Sequence, residues 1–315
     1  MHPAFSVILF TTLSGAGYGL VALMGALSVV ERMAPDRWLG IAGFALGLGA
    51  ITAGLVASTF HLGHPERAWR AFSQWRSSWL SREGVMSVLA FPPALAFAYG
   101  WIFRGTNEGI WAFCGALAAA AAIVTVYCSA MIYASLKPIQ RWHNGWVAPG
   151  YLLFALSSGA LWLAALLALF AEPDPLVSML AIATALASGV LKLGYWRFID
   201  RSDGPSTAET ATGLGRFGTV RLLEAPHGGE NYLMREMGFR IARRHATKLR
   251  RIAILLASLA PAILTAAQFF LPPLLGAVAA IAAAPIAMVG ILVERWLFFA
   301  EARHAVTLYY GAARA

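Results

Sequence analysis

Phe5–Val30, FSVILFTTLSGAGYGLVALMGALSVV, runs for 26 residues without a charged side chain. About 20 apolar residues are enough to cross a hydrocarbon core as a helix. The run lacks the residue-by-residue alternation of a barrel strand. It is too long for the apolar core of a signal peptide and has no basic residue before it, so it reads as a retained span. Working outward, comparable runs recur at about 38–60, 83–103, 110–135, 147–171, 175–198, 252–271 and 274–299. In lipid each backbone amide needs a partner within its own segment, which helices supply. The expected fold is therefore all-α: a polytopic membrane protein with eight transmembrane helices, read as one integral membrane domain over 1–315.

Composition agrees. Apolar residues make up 59% of the chain, charged residues 12%, and mean hydropathy is +0.66, whereas a soluble domain carries about 25% charged residues. Pro92, Pro93, Pro261 and Pro285 fall inside spans and are expected to kink them. The prolines of AEPDPL and FLPPLLG mark turns between spans five and six and between seven and eight. Alanine-rich stretches such as GALAAAAAIV suit close helix packing. Cys114 and Cys128 share one apolar run and read as packing residues. The sequence shows no internal repeat.

Residues 200–251 form an extramembrane insertion. It opens with a Gly/Ser/Thr-rich stretch and closes as NYLMREMGFRIARRHATKLRRIA, expected to be a basic amphipathic helix leading into span seven. Such a helix suits an anionic lipid surface or an acidic partner, with Arg243 and Arg244 as docking residues. GLGRFG at 213–218 has no strand before it and is not read as a nucleotide loop.

Charge sets the expected orientation. The loops after spans two, four and six, with the C-terminal end, hold 18 Lys and Arg; the opposite loops hold 3. The positive-inside rule places the first set, and both termini, in the cytoplasm of a bacterial inner membrane. The net charge of +9 follows mostly from this asymmetry and needs no nucleic acid.

The loop FHLGHPERAWRAFSQWRSSWLSREGV, Phe60–Val85, gathers most of the chemistry. Pro65 can open a short helix with Glu66 in its first turn. Arg67 and Arg70 then share a face beside Trp69. Trp69, Trp75 and Trp79 suit the headgroup level. Ser81 is expected to cap span three and leave Glu83 in its first turn. One reading of the loop is an interfacial belt beside a capped helix. The other is a quinone site, with His61 ending span two and Glu83 opening span three as proton-exchanging partners of the quinone oxygens. Arg67, Trp79 and Ser81 would complete that site, and Arg70 and Arg76 would dock a soluble partner. None of the seven histidines lies mid-span, so no haem is expected. No ligand set suits zinc.

These residues resemble the signature of the membrane-anchor subunits of DMSO reductase and its relatives. There, an HLG-x-P-x-R-A segment follows span two and Ser-x-Glu opens span three. Here those are His61, Leu62, Gly63, Pro65, Arg67 and Ala68, then Ser81 and Glu83. The resemblance implies an oxidoreductase subunit without a metal of its own, binding ubiquinone or menaquinone at His61 and Glu83. It also implies a partner with four [4Fe–4S] clusters and a catalytic partner bearing the molybdenum cofactor. The stretch LLEAPHGGENYLMREMGFRIARRHA is absent from the enteric DMSO reductase anchor and resembles the anchors of membrane-bound cytoplasmic sulfite dehydrogenases. Electron flow from sulfite to quinone is then the expectation, with quinol oxidation by an S- or N-oxide reductase as the alternative. A transporter is the reading from a different class. It calls for ionisable residues at depth, whereas Lys192, Glu294 and Arg295 are read as lying toward span ends.

Overall fold

The structure is a computed structural model, and it describes residues 5–60, 62–202, 206–224 and 240–310; the side chains of 240–244 and 306 are outside the description. Every regular element among the described residues is helical. Six long helices are α1 (Phe5–Val29), α2 (Arg37–Thr59), α3 (Trp79–Arg104), α4 (Ile110–Ala134), α5 (Val147–Phe170) and α6 (Pro175–Arg201). A short α7 (Ala208–Thr212) follows. Then come α8 (Arg240–Ile254), a π-helical turn (Leu255–Leu259), α9 (Ala260–Ala267) and α10 (Pro273–Ala300). Among the described residues, eight helical stretches are long and apolar enough to span a membrane: α1 to α6, α10, and His245–Ala267 as the seventh.

The ends of these helices follow from local chemistry. Asp36 caps α2 by accepting the Leu39 N–H at 2.7 Å, and Asp174 caps α6 through Leu176 N–H at 2.6 Å, with Pro175 in the first turn. Gly105 ends α3 at φ +64°, a left-handed conformation that glycine adopts freely. The turns read from AEPDPL and FLPPLLG fall as expected.

α1 and α5 form the centre. In their most apolar windows 72% and 67% of residues are buried, against 33–44% in the other spans. The two helices touch at Gly19 and Gly159, where a Cβ on either would run into the other's backbone. This small-residue contact brings backbones within dispersion range in a solvent where burial gives helices little drive to associate. α2 and α4 flank α1; α6 and α10 flank α5.

The local expectation at the start of α3 is corrected. Ser78, not Ser81, caps α3: its side chain accepts from Ser81 N–H, and Ser81 is a buried residue inside the helix. The helix starts one turn earlier because Trp79 and Leu80 are already helical, so Glu83 is its fifth residue, beyond the first turn. The basic segment, where it is described, is a helix that leads into the seventh span as expected. α8 runs unbroken through the π turn into α9, since nothing between Arg240 and Ala260 breaks a helix. The widened turn lies just before Pro261, whose ring crowds the carbonyl four residues back. Met234 to Gly238 lie outside the described residues.

Candidate functional site

Loops 62–78 and 135–146, the end of α6, the start of α8 and the segment after α10 lie at one end of the bundle. Ion pairs join them: Arg250 binds Asp200 through two bonds of 2.6 and 2.9 Å and Glu301 at 2.6 Å. Arg141 donates to the Glu301 carbonyl at 2.6 Å, and Trp142 Nε1–H to the Phe298 carbonyl at 2.9 Å.

In the Phe60–Val85 loop the short helix read from Pro65 is present, as a 3₁₀ helix over Pro65–Phe72 that buries none of its residues. Glu66 accepts from His64 Nδ1 at 3.0 Å and lies 3.7 Å from Arg67 Nε. Arg67 is therefore turned to its neighbour in the loop. Arg70 stacks over Trp69, Arg76 over Trp75 and Arg82 over Trp79, with guanidinium carbons 5.7, 5.4 and 4.3 Å from the rings. Arg82 also donates to the carbonyls of Trp75 and Arg76, at 3.0 and 2.7 Å. These bonds hold the loop over the mouth of α3. Trp79 meets Tyr127 of α4 edge to face, and Phe72 packs on Gly84.

Beneath this cover lies Glu83, only 5% exposed, with Oε1 unpartnered. Ser129 of α4 is beside its carboxylate. Ser87, one turn along α3, is buried with its hydroxyl also unpartnered. A buried carboxylate with an unsatisfied oxygen is costly, which makes Glu83 a candidate for binding or proton exchange. Trp79, Ser81 and Glu83 are thus together on the first turns of α3, while Arg67 is above them in the loop. His61 is outside the described residues; Phe60 ends α2 and Leu62 N–H bonds to the Thr59 carbonyl, at the same end of the bundle. The side chains of Arg243 and Arg244 are outside the description.

A second polar centre escaped the sequence reading. Lys192 of α6 and Arg295 of α10 share the carboxylate of Glu294: Lys192 pairs with Oε1, and Arg295 Nε–H reaches Oε2 at 3.0 Å. All three are at most 5% exposed, so these charges, although toward the ends of their spans, are buried inside the bundle. Aromatic faces cage them. Lys192 lies 3.9 Å from the Tyr195 ring centre, and the Arg295 guanidinium 3.8 Å from that of Tyr151. Two charged residues side by side in ILVERWLFF, inside an otherwise apolar span, were the available signal. Among the described residues no three His, Cys, Asp or Glu gather as metal ligands.

The eight described spans form a bundle that collects much of its polar chemistry at one end, beneath an arginine-rich loop. A family model for the DMSO reductase anchor subunit (DmsC) matches residues 1–300, and the chain belongs to that family. A sulfite dehydrogenase subunit of Allochromatium vinosum is 36% identical over 330 aligned positions, which cover 98% of this chain and 99% of that one. The chain is thus a membrane-anchor subunit of an oxidoreductase complex of the DMSO reductase and sulfite dehydrogenase type.

Proposed function

We propose that this anchor binds a quinone at Glu83 and His61 and passes it electrons from cytoplasmic sulfite oxidation. The observation that carries this is Glu83: a carboxylate at the mouth of a span, shielded by the loop, with one oxygen unpartnered. The residues suit a quinone headgroup. Glu83 offers a proton-exchanging group, and Trp79 and Tyr127 offer apolar ring surface beside it. A bound quinone would supply two-electron, two-proton redox chemistry at these residues. His61 and Glu83 would hold and move the protons at its oxygens, Ser81 and Arg67 would support that end of α3, and the loop would exclude bulk water.

The electrons would come from an iron–sulfur partner with four clusters, fed in turn by a subunit holding the molybdenum cofactor. Arg70, Arg76, Arg243 and Arg244 would receive the iron–sulfur partner on the cytoplasmic face. The name of the 36% identical relative supports sulfite as the catalytic partner's substrate. The charge asymmetry supports a bacterial inner membrane with both termini cytoplasmic. The transporter reading draws on the buried Lys192–Glu294–Arg295 cluster, but the anchor-family match spans nearly the whole chain and weighs against it.

Glu83→Gln and His61→Ala test the proposal. In the complete complex, each is expected to lower quinone-linked sulfite oxidation at least 100-fold, the scale of a lost acid–base group. Sulfite oxidation with an artificial dye should stay at parental levels. Quinone-linked turnover that survives both substitutions would place the quinone elsewhere.

A further inference from the structure

Between Glu83 and the ionic cluster lies a polar cavity that the quinone reading does not use. Its walls come from α1, α4, α5 and α10, and include Thr12, Ser129, Ser158, Tyr151 and Arg295. Room for the centre of a water-sized sphere amounts to about 20 Å³, and a single water needs roughly 10–15 Å³ on this measure. Thr12 Oγ1 is buried there without a partner, and the Tyr151 hydroxyl faces the Arg295 guanidinium. Arg295 Nε lies 3.0 Å from Glu294 Oε2, and its guanidinium brings N–H groups to the wall. A water there would find the two to four polar partners that internal waters require. Ser129 joins the cavity to Glu83 on one side. On the other, a smaller cavity of about 10 Å³ shares Tyr151 and Arg295 and reaches Lys192, Glu294 and Tyr195.

The layer runs across the bundle, not through it. Counted at 1.5 Å per residue from helix ends on the same face, Glu83, Ser129, Tyr151, Thr12, Arg295 and Lys192 lie about 6–14 Å deep. The outer edge is the surface basin formed by Arg141, Asp200, Arg250 and Glu301, to which Tyr195 is tied through its hydroxyl on the Arg141 carbonyl at 2.9 Å.

We propose that waters held at Thr12 and Tyr151 relay protons laterally between the Lys192–Glu294–Arg295 cluster and Glu83, making these two hydroxyls positioning residues for quinone protonation. This rests on the quinone reading of Glu83. The balance is simple. Two electrons from the soluble partners and two protons convert quinone to quinol. Each time Glu83 gives up a proton to a quinone oxygen it is left a carboxylate; the Ser129 hydroxyl passes its proton to Glu83 and takes one from a cavity water. That water is reprotonated from the ionic cluster and, through it, from solvent at the same face. No net charge crosses the membrane by this route. The titratable groups that interact with Glu83 are Tyr18 of α1, Cys128 and Tyr133 of α4, and Tyr151 of α5.

The test uses the complete complex in native membranes and the ratio of quinone-linked to dye-linked sulfite oxidation. Thr12→Val with Tyr151→Phe removes both hydroxyls and little volume. This double variant is expected to lower the ratio at least fivefold and to raise the solvent deuterium isotope effect on the quinone-linked rate. Thr12→Ser with native Tyr151 keeps both hydroxyls and should stay within twofold of the parent. A smaller fall in the double variant, an unchanged isotope effect, or an equal loss in Thr12→Ser would overturn the relay. If the double variant does not assemble, Tyr151→Phe alone is scored by the same limits. Glu83→Gln is run beside them. If it leaves quinone-linked turnover intact, the quinone reading itself fails; if it abolishes turnover while the hydroxyl variants remain parental, only the relay fails.

Discussion

At the residue scale, the interior charges differ in what their removal leaves behind. Glu294 is shared by two buried cations. Glu294→Gln leaves both without a counter-charge, and breaking a buried pair in this way costs about 3–5 kcal/mol. Lys192→Met removes one cation and leaves a one-to-one pair of Glu294 with Arg295, so its cost should be much smaller. Thermal unfolding of the detergent-solubilised complex should show a clearly larger drop in Tm for Glu294→Gln. Equal drops would mean that packing against Tyr195 and Trp196, not charge, dominates at this site. The asymmetry also shows what a sequence cannot display. Glu294 and Arg295 are visibly adjacent, but Lys192 is 102 residues away, and only the contact of α6 with the rest of the bundle brings it to the same carboxylate. Glu83 was legible because it sits in a local motif at a span start. Its unpartnered oxygen was not, because that depends on what α4 puts opposite.

At the scale of elements, the spans were the most readable feature because apolar length alone decides them. Seven of the eight stand within four residues of their expected starts. The seventh fell seven residues out, at His245 rather than 252, because its first turns are basic and a hydropathy reading ends where the arginines begin. The structure resolves the conflict by pairing: Arg250 is held by Asp200 and Glu301, so a cation can sit in the first turns of a span. The Ser78 cap was missed for a related reason. Ser77, Ser78 and Ser81 all qualify by residue type, and tertiary packing of Trp79 selects among them. Continuity of α8 with the span has a testable consequence. Arg240, Arg243 and Arg244 belong to the first turns of α8, whose backbone runs on into the span, and a Lys or Arg near an anionic surface contributes about 1 kcal/mol. Arg243→Glu with Arg244→Glu should release the soluble subunits from washed membranes at lower salt than the parent requires. Retention that is identical at all ionic strengths would remove these arginines from the docking surface.

At the scale of the whole molecule, orientation decides which compartment the partners occupy. The described loops at the Glu83 end form a connected surface: Arg250 links α6 to the segment after α10, Arg141 reaches that segment from the loop after α4, and the 3₁₀ loop caps α3. Lys and Arg on that side outnumber those opposite by 18 to 3. Placing this end in the periplasm would violate the positive-inside rule in nearly every loop. It would also bring the proposed proton route to the wrong side for a cytoplasmic sulfite oxidase. With this end in the cytoplasm, Glu83, the lateral polar layer and the arginine-rich docking loop all face the compartment that supplies both the electrons and the protons. Reporter fusions give the measurement. Alkaline phosphatase joined at the C-terminal end should be inactive and a fluorescent protein there bright, whereas phosphatase placed in the loop between α1 and α2, after Met33, should be active. Phosphatase activity at the C-terminal end with none after Met33 would invert the bundle, move the quinone site to the periplasmic face, and favour a quinol-oxidising reductase with external partners over sulfite oxidation.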